Sequence, residues 1–172
     1  MFGVVLLFVG AGLIHNGYDI LTKTDGKPMD PRGAALVNFF TAIVLFIINW
    51  VFIIRDASYF AGGLGMLFSF TYFYIALNDW FKFDLRAFGV YCLFVSLALL
   101  PWMYQLAEVG DWWMFLLGFQ WFVIFHLLWW EDTLMKMQSP SSKRKIGYLW
   151  YFGGIFSGWV PGVMMLAGWW PA

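Results

Sequence analysis

The residues of this sequence best suited to contact a solute are apolar and aromatic side chains spaced four apart. Residues at i and i+4 share one face of a helix, so each such pair forms a stripe. Three pairs lie near the middle of hydrophobic segments: Val9 with Leu13, Phe68 with Tyr72, and Trp121 with Phe125. A narrow slot with such walls would suit a flat, neutral, hydrogen-bonding molecule, whereas a hydrated ion could not shed its water there.

The same stripes have a second explanation, which is ordinary packing of helices through large side chains. Within the pairs, only Tyr72 and the Trp121 indole can donate a hydrogen bond from the side chain. Three asparagines lie near one end of their segments: Asn16, Asn38 and Asn78. They could form a vestibule that hydrogen-bonds an amide, or they could link neighbouring helices through hydrogen bonds. The pattern alone leaves both explanations open.

Motifs typical of enzymes and cofactor sites do not occur in the sequence. It has no glycine-rich phosphate loop, no Cys-x-x-Cys pair and no Gly-x-Ser-x-Gly turn, so we predict neither catalysis nor a cofactor. His15 and His126 lie in different segments, and a lone histidine in a membrane helix commonly makes one interhelical hydrogen bond, so we predict no metal site. The formal net charge is zero, which gives no basic field for nucleic acid.

Composition and segment length determine the fold class. Hydrophobic residues make up 62% of the 172 residues and charged residues 12%, which is too apolar for a soluble domain. A membrane-spanning helix needs about 20 predominantly apolar residues. Six segments qualify, at residues 2–21, 34–54, 59–77, 87–107, 112–130 and 146–170. We therefore predict an all-α integral membrane protein, with residues 1–172 forming a single bundle of six transmembrane helices and the first segment not a cleaved signal peptide.

Tryptophans and acidic residues concentrate near the ends of these segments. Trp102 is one of several tryptophans that fit an interfacial aromatic belt, whereas Trp121 and Trp159 fall near mid-segment. Ion-coupled transporters need ionisable groups at mid-depth. Here Asp19 and Glu131 lie near segment ends. We therefore expect uncoupled, downhill transport, and the roles of His15, His126 and Glu131 are left open.

Lysine and arginine are distributed unevenly among the connections between segments. Nine of the ten basic residues fall in the first, third and fifth connections, whereas Arg55 alone falls in the second. The nine are Lys23, Lys27, Arg32, Lys82, Arg86, Lys136, Lys143, Arg144 and Lys145. By the positive-inside rule, these three connections lie in the cytoplasm and both termini lie outside. Residues 139–145 are expected to form a solvated basic loop.

Several stretches together resemble the urea/amide channel family, which comprises acid-gated urea channels and the related amide channels encoded with urease or amidase. The similarity runs along the whole chain. It is carried by Met1–Gly10 with Asn16-Gly17, Val37–Phe40, Leu67–Asn78, Gly110–Trp113 and Gly158–Pro161.

The resemblance implies passive permeation of urea or short-chain aliphatic amides across the bacterial cytoplasmic (inner) membrane. It also implies a ring-shaped homohexamer in contact with membrane lipids, with one pore in each protomer, and a functional link to a cytoplasmic urease or amidase. By resemblance the pore is lined by Val9, Leu13, Phe68, Tyr72, Trp121 and Ile124. A second pore tryptophan of the urea channels is replaced by Phe125, which cannot donate a hydrogen bond.

Two departures from the acid-gated members bear on regulation. An acidic residue that the urea channels carry in the last helix corresponds to Gly153, and their long histidine-rich outer loop shrinks to residues 55–58. We therefore expect a channel that is not acid-gated, with the choice between urea and amide left open. The alternative is a non-transporting membrane subunit or scaffold whose aromatic stripes only pack helices.

Fusions at the two termini test the predicted topology. Because nine of the ten basic residues are assigned to cytoplasmic connections, reporters at either end should be active only outside the cytoplasm. Alkaline phosphatase and green fluorescent protein, which are active on opposite sides of the membrane, provide the measurement. A fusion after Lys82 is the control and should report from the cytoplasm. A cytoplasmic signal from either terminus would contradict the topology.

Overall fold

A computed structural model describes residues 2–134 and 138–171 of the chain, and the described part is all-helical. The helices are α1 (Phe2–Thr24), α2 (Pro31–Ile54), α3 (Tyr59–Phe81), α4 (Arg86–Glu108), α5 (Trp112–Leu128), α6 (Pro140–Gly154) and α7 (Val160–Leu166). A π-helical turn, Trp129–Thr133, extends α5, and a second, Ile155–Trp159, joins α6 to α7. Six continuous stretches in the described ranges are long and apolar enough to cross a membrane, which confirms the six predicted spans.

Two of the spans begin earlier than hydropathy predicts because capping residues start them. The Asp30 side chain accepts a hydrogen bond from the Arg32 N–H at 3.2 Å, and Pro31 is the first residue of α2. Ser139 caps α6 in the same way through the Ser142 N–H. The prediction of a solvated basic loop at residues 139–145 is therefore wrong, since residues 140–145 form the first turns of α6. Lys136, assigned to the same connection, lies outside the described residues.

The chain packs as two compact units. Residues 1–82 and 139–172 form the first unit, in which α1 packs against α2, α6 and α7, and α2 packs against α3. Residues 83–138 form the second unit, in which α4 packs against α5 and the π turn that follows it. In the second unit, the Thr133 hydroxyl on that π turn donates to the Arg86 carbonyl at 2.9 Å.

The closest helix contact in the first unit is made by glycines on α1 and on the last span. A Cβ added to Gly10 would lie 2.9 Å from the Gly154 carbonyl oxygen, and one added to Gly17 would lie 2.7 Å from the Gly147 carbonyl oxygen. These pairings make the two helices antiparallel. Small residues allow such backbone contact, which holds membrane helices together where lipid offers the same apolar environment as a side chain.

A buried amide joins α2 to α3. Asn49 donates from its side chain to the Leu45 carbonyl at 2.7 Å and to the Ser69 hydroxyl at 3.4 Å. The Ser69 hydroxyl donates in turn to the Gly65 carbonyl at 3.0 Å, and a side chain at Gly65 would collide with the Asn49 amide. Because hydrocarbon offers no hydrogen bonds, such polar groups need partners within the protein.

Basic residues of the first and fifth connections lie at one end of the first unit. Arg144 at the start of α6 forms an ion pair with Asp25, just beyond the end of α1. Arg32 near the start of α2 lies over the ring of Trp80 near the end of α3, 5.9 Å from its centroid. Arg55 lies at the opposite end of α2. This arrangement agrees with the alternation on which the topology rests, while the orientation in the membrane stays a prediction.

Candidate functional site

All seven side chains predicted to line a pore are buried, each between 3% and 7% exposed: Val9, Leu13, Phe68, Tyr72, Trp121, Ile124 and Phe125. The first four lie on α1 and α3 of the first unit, and the last three lie on α5 of the second. Burial is selective among the mid-span tryptophans, since Trp159 is 53% exposed. The three stripes thus face protein, as both the pore and the packing explanations require.

Tyr72 and Val9, from two of the three predicted pairs, are directly bonded. The Tyr72 hydroxyl on α3 donates to the Val9 carbonyl on α1 at 3.0 Å. A phenol has one proton to donate and lone pairs with which to accept. The expectation that Tyr72 offers a donor is therefore corrected: its proton is used within the protein, and what the hydroxyl can offer a solute is an acceptor.

Gly12 makes room for the Tyr72 ring, which sequence reasoning missed. A Cβ at Gly12 would lie 2.8 Å from Tyr72 Cζ and 3.1 Å from its hydroxyl oxygen. The tyrosine side chain therefore lies against the α1 backbone, where its hydroxyl reaches the Val9 carbonyl. The position of Gly12 in the sequence does not predict this contact, because the contact depends on how α3 is placed along α1.

A second aromatic contact fixes the stripe on α5. The rings of Trp121 and Trp102 are stacked, with centroids 5.9 Å apart and an interplanar angle of 10°. A Cβ at Gly118, one turn before Trp121, would lie 3.0 Å from Trp102 Cζ3, so the glycine admits the ring. Trp102, which the sequence assigns to an interfacial belt, thus packs on the predicted site residue. Because Trp102 lies near a segment end, its sequence position predicts a membrane-interface tryptophan and not this contact with Trp121.

Two of the three asparagines predicted for a vestibule are hydrogen-bonded to each other. Asn16 and Asn38 donate to each other's side-chain oxygens at 2.9 Å in both directions, and Asn38 also donates to the Ala34 carbonyl at 3.2 Å. This reciprocal pair is the interhelical link that the sequence left as the alternative. Asn78 does not join it, and its Oδ1 is buried with no partner among the described residues.

The histidines occupy different surroundings. His126 lies among aromatic rings, 5.5 Å from the Phe122 centroid and 5.1 Å from the Trp129 centroid. His15 interacts electrostatically with Asp19 and Asp79. Within residues 2–134 and 138–171, no group of three or more histidine, cysteine, aspartate or glutamate side chains is placed to hold a metal ion.

Comparison with known proteins places this geometry among membrane channels and transporters. The sequence model of the AmiS/UreI family transporters matches residues 1–169. The acid-activated urea channel of Helicobacter pylori is 29% identical over 205 aligned residues, which cover 99% of this chain and 100% of that protein. A putative amidate substrates transporter protein of Mycolicibacterium smegmatis is 31% identical over 180 residues, which cover 99% of this chain and 78% of that protein.

Solved structures of similar proteins agree with the sequence matches. The crystal structure of the Helicobacter pylori urea channel superposes with a TM-score of 0.87 at 29% identity, and covers 99% of this chain and 100% of that one. The cryo-EM structure of that channel in a closed state has a TM-score of 0.86.

Removing the Tyr72 hydroxyl tests its place in the fold. Tyr72→Phe keeps the ring but deletes the bond to the Val9 carbonyl, so we expect the free energy of unfolding in detergent micelles to fall by about 0.6 kcal/mol. Tyr59→Phe, at an exposed tyrosine at the start of the same helix, is the matched control and should cause no change. Equal effects of the two substitutions would show that the bond contributes nothing.

Proposed function

The chain belongs to the AmiS/UreI family of transporters, and on that basis we propose that it is a passive channel for urea and short-chain aliphatic amides. The observation that carries the proposal is the family match over residues 1–169, joined to three buried stripes at the positions expected to line a pore. Its named relatives are channels and transporters rather than enzymes, and its six apolar helices make it a multi-pass membrane protein.

The proposed path is lined within each protomer by seven buried residues, the six of the three stripes and Ile124. A planar amide passing ring faces exchanges water contacts for stacking, and the Tyr72 hydroxyl accepts a hydrogen bond from a solute N–H. The Trp121 indole carries an N–H group, whereas Phe125 carries no side-chain donor. Binding has to stay weak, since a channel needs fast release as well as entry.

The assembly proposed for this channel is a homohexamer in the bacterial cytoplasmic membrane, with both termini outside. The basic residues gathered at one end of the first unit support that orientation. A urea channel and a putative amidate transporter among the relatives support both permeant classes. Because passive entry is useful when the solute is consumed inside, a cytoplasmic urease or amidase is the proposed functional partner.

Flux measurements in proteoliposomes test the proposal. We expect downhill urea or acetamide flux that neither a proton nor a sodium gradient drives uphill, because the acidic residues Asp19 and Glu131 lie near segment ends rather than at mid-depth. Trp121→Ala should alter flux or relax selectivity toward larger amides, since it removes a wall of the proposed path and the stacking on Trp102. Trp113→Ala, at an exposed tryptophan at the start of the same helix, is the control.

Two results would contradict the channel. Accumulation of solute against its gradient, driven by an ion gradient, would exclude passive transport. A Trp121→Ala variant that assembles normally and keeps wild-type flux and selectivity would assign the stripes to packing alone. The chain would then fit the alternative of a non-transporting subunit or scaffold.

The short connection between α2 and α3 contains an ion pair, whereas the acid-gated urea channels are expected to carry a long histidine-rich loop at this place. The Arg55 guanidinium donates to both carboxylate oxygens of Asp56, at 2.7 and 3.3 Å. These hydrogen bonds hold the pKa of the Asp56 carboxyl below its usual value. A lowered pKa keeps the carboxylate ionised as the outside is acidified from neutrality, so the charge of this pair does not change.

We therefore expect flux to vary little between about pH 5 and about pH 7 outside, because histidine is the side chain that ordinarily titrates in this range and neither predicted outer connection contains one. Stopped-flow flux with the internal pH clamped provides the measurement. Several-fold activation by external acid would contradict the prediction. Glu108→Gln and Asp111→Asn would then show whether a carboxyl group of the other predicted outer connection is responsible.

A further inference from the structure

A polar cluster lies on α1 and α3 near the end of the first unit that carries the basic residues. We call it the α1–α3 polar cluster, and it consists of His15, Asp19, Asn78 and Asp79. Asp19 and Asp79 are only 7% and 9% exposed. His15 interacts electrostatically with both carboxylates, and the two carboxylates interact with each other, so the four residues form one group across the two helices.

Three atoms of the cluster are buried without a hydrogen-bond partner among the described residues: His15 Nε2, Asp19 Oδ1 and Asn78 Oδ1. The two oxygens can only accept hydrogen bonds, and Nε2 accepts when the neutral imidazole carries its proton on Nδ1. A buried acceptor that remains unpaired destabilises the fold, and such groups in native proteins call for a specific reason. The cluster is therefore set up to receive hydrogen bonds from a molecule that supplies donors.

Two lysines set the charge of the cluster. Lys23 forms an ion pair with Asp19 through Oδ2, and the Lys82 ammonium lies 4.0 Å from Asp79 Oδ1. Both lysine side chains are far more exposed than the carboxylates, so the ammonium groups lie on the outer side and the acceptors on the inner side. Pairing with lysine removes the excess negative charge that would otherwise favour a cation. What remains inside suits a neutral donor.

The cluster continues a stripe of the proposed path. Asp79 follows Tyr72 by seven residues, which is two turns along the same face of α3 and about 10 Å in distance. On α1, His15 and Asp19 are four residues apart and share a face other than that of Leu13, and this face meets the α3 part of the cluster through the interaction of His15 with Asp79. A solute that leaves Tyr72, whose hydroxyl offers it an acceptor, therefore next meets further acceptors at this end of the helices.

We propose that the α1–α3 polar cluster binds the N–H groups of permeating amides and so selects solutes by their number of N–H donors. The proposal rests on the proposed channel function and adds a recognition site to it. Urea carries four N–H donors and a primary amide carries two, whereas the two unpaired oxygens of the cluster are acceptors, as is His15 Nε2 when the imidazole proton is on Nδ1. A solute of the same size with fewer N–H groups leaves more of these acceptors unpaired, and it crosses more slowly.

Three isomeric amides separate donor number from molecular size. Propionamide, N-methylacetamide and N,N-dimethylformamide have one formula but carry two, one and no N–H groups. In proteoliposomes of the full chain, with the flux of protein-free liposomes subtracted, we expect wild-type flux to fall in that order. Asn78→Leu removes one acceptor and keeps the number and branching of heavy atoms, and it should reduce the ratio of propionamide to N-methylacetamide flux several-fold. Asn78→Gln retains an amide oxygen without adding charge and should preserve the ratio.

His15→Phe is a second variant, which removes an acceptor from α1 and should lower the same ratio. Size-exclusion profiles establish that each variant assembles. The cluster proposal is overturned if the wild type does not rank the isomers by donor number, or if both apolar variants keep the wild-type ratio of propionamide to N-methylacetamide flux, including the case in which they lower all fluxes by one factor. If urea flux through the protein is still measured in those cases, the cluster proposal fails while the channel proposal stands. A wild type that conducts neither urea nor any isomer would instead refute the channel function itself.

Discussion

The contact of α1 with the last span sets the geometry of the first unit. Backbone meets backbone where Gly10 lies against Gly158, so α1 can neither shift nor rotate without a collision. The remaining faces of α1 are thereby presented in fixed directions. One of them, which carries both Val9 and Asn16, receives the Tyr72 hydroxyl and, two turns further on, the Asn38 amide, each through a hydrogen bond that demands a particular rotation of α1. The positions of the predicted pore residues and of the polar cluster on α1 therefore depend on the glycine contact with the last span, which has no contact with solute itself.

Hydrophobicity and periodicity were sufficient to predict the six spans and the burial of all three stripes, because both depend on one helix at a time. What they could not give is the placement of one helix along another. The bond from Tyr72 to α1, the pairing of Asn16 with Asn38, and the stacking of Trp102 on α5 all depend on that placement. The helical basic segment after Ser139 was missed for a different reason, since hydropathy ignores capping signals.

Polar groups in the spans divide into satisfied and unsatisfied sets. The Asn16–Asn38 pair and the Asn49–Ser69 contact pair polar groups inside the protein, as a span surrounded by hydrocarbon requires. The α1–α3 polar cluster does not, although it lies on the same helices. The difference separates residues that assemble the bundle from residues available to a solute. Residue type alone cannot make this distinction, because asparagine occurs in both sets.

The π-helical turn Ile155–Trp159 affects how the last span should be read as a pattern. In an uninterrupted α-helix, residues four apart fall about 40° out of line, since each residue advances about 100°. A π turn closes its hydrogen bonds five residues apart and holds more residues in each turn. The drift from Gly154 to Gly162 would reach about 80° in an uninterrupted α-helix, yet Gly154, Gly158 and Gly162 all lie against α1. A helical wheel drawn at constant pitch would assign lipid-facing and protein-facing sides incorrectly beyond this turn. The insertion or loss of one residue there would let evolution rotate the end of the span while leaving its beginning unchanged.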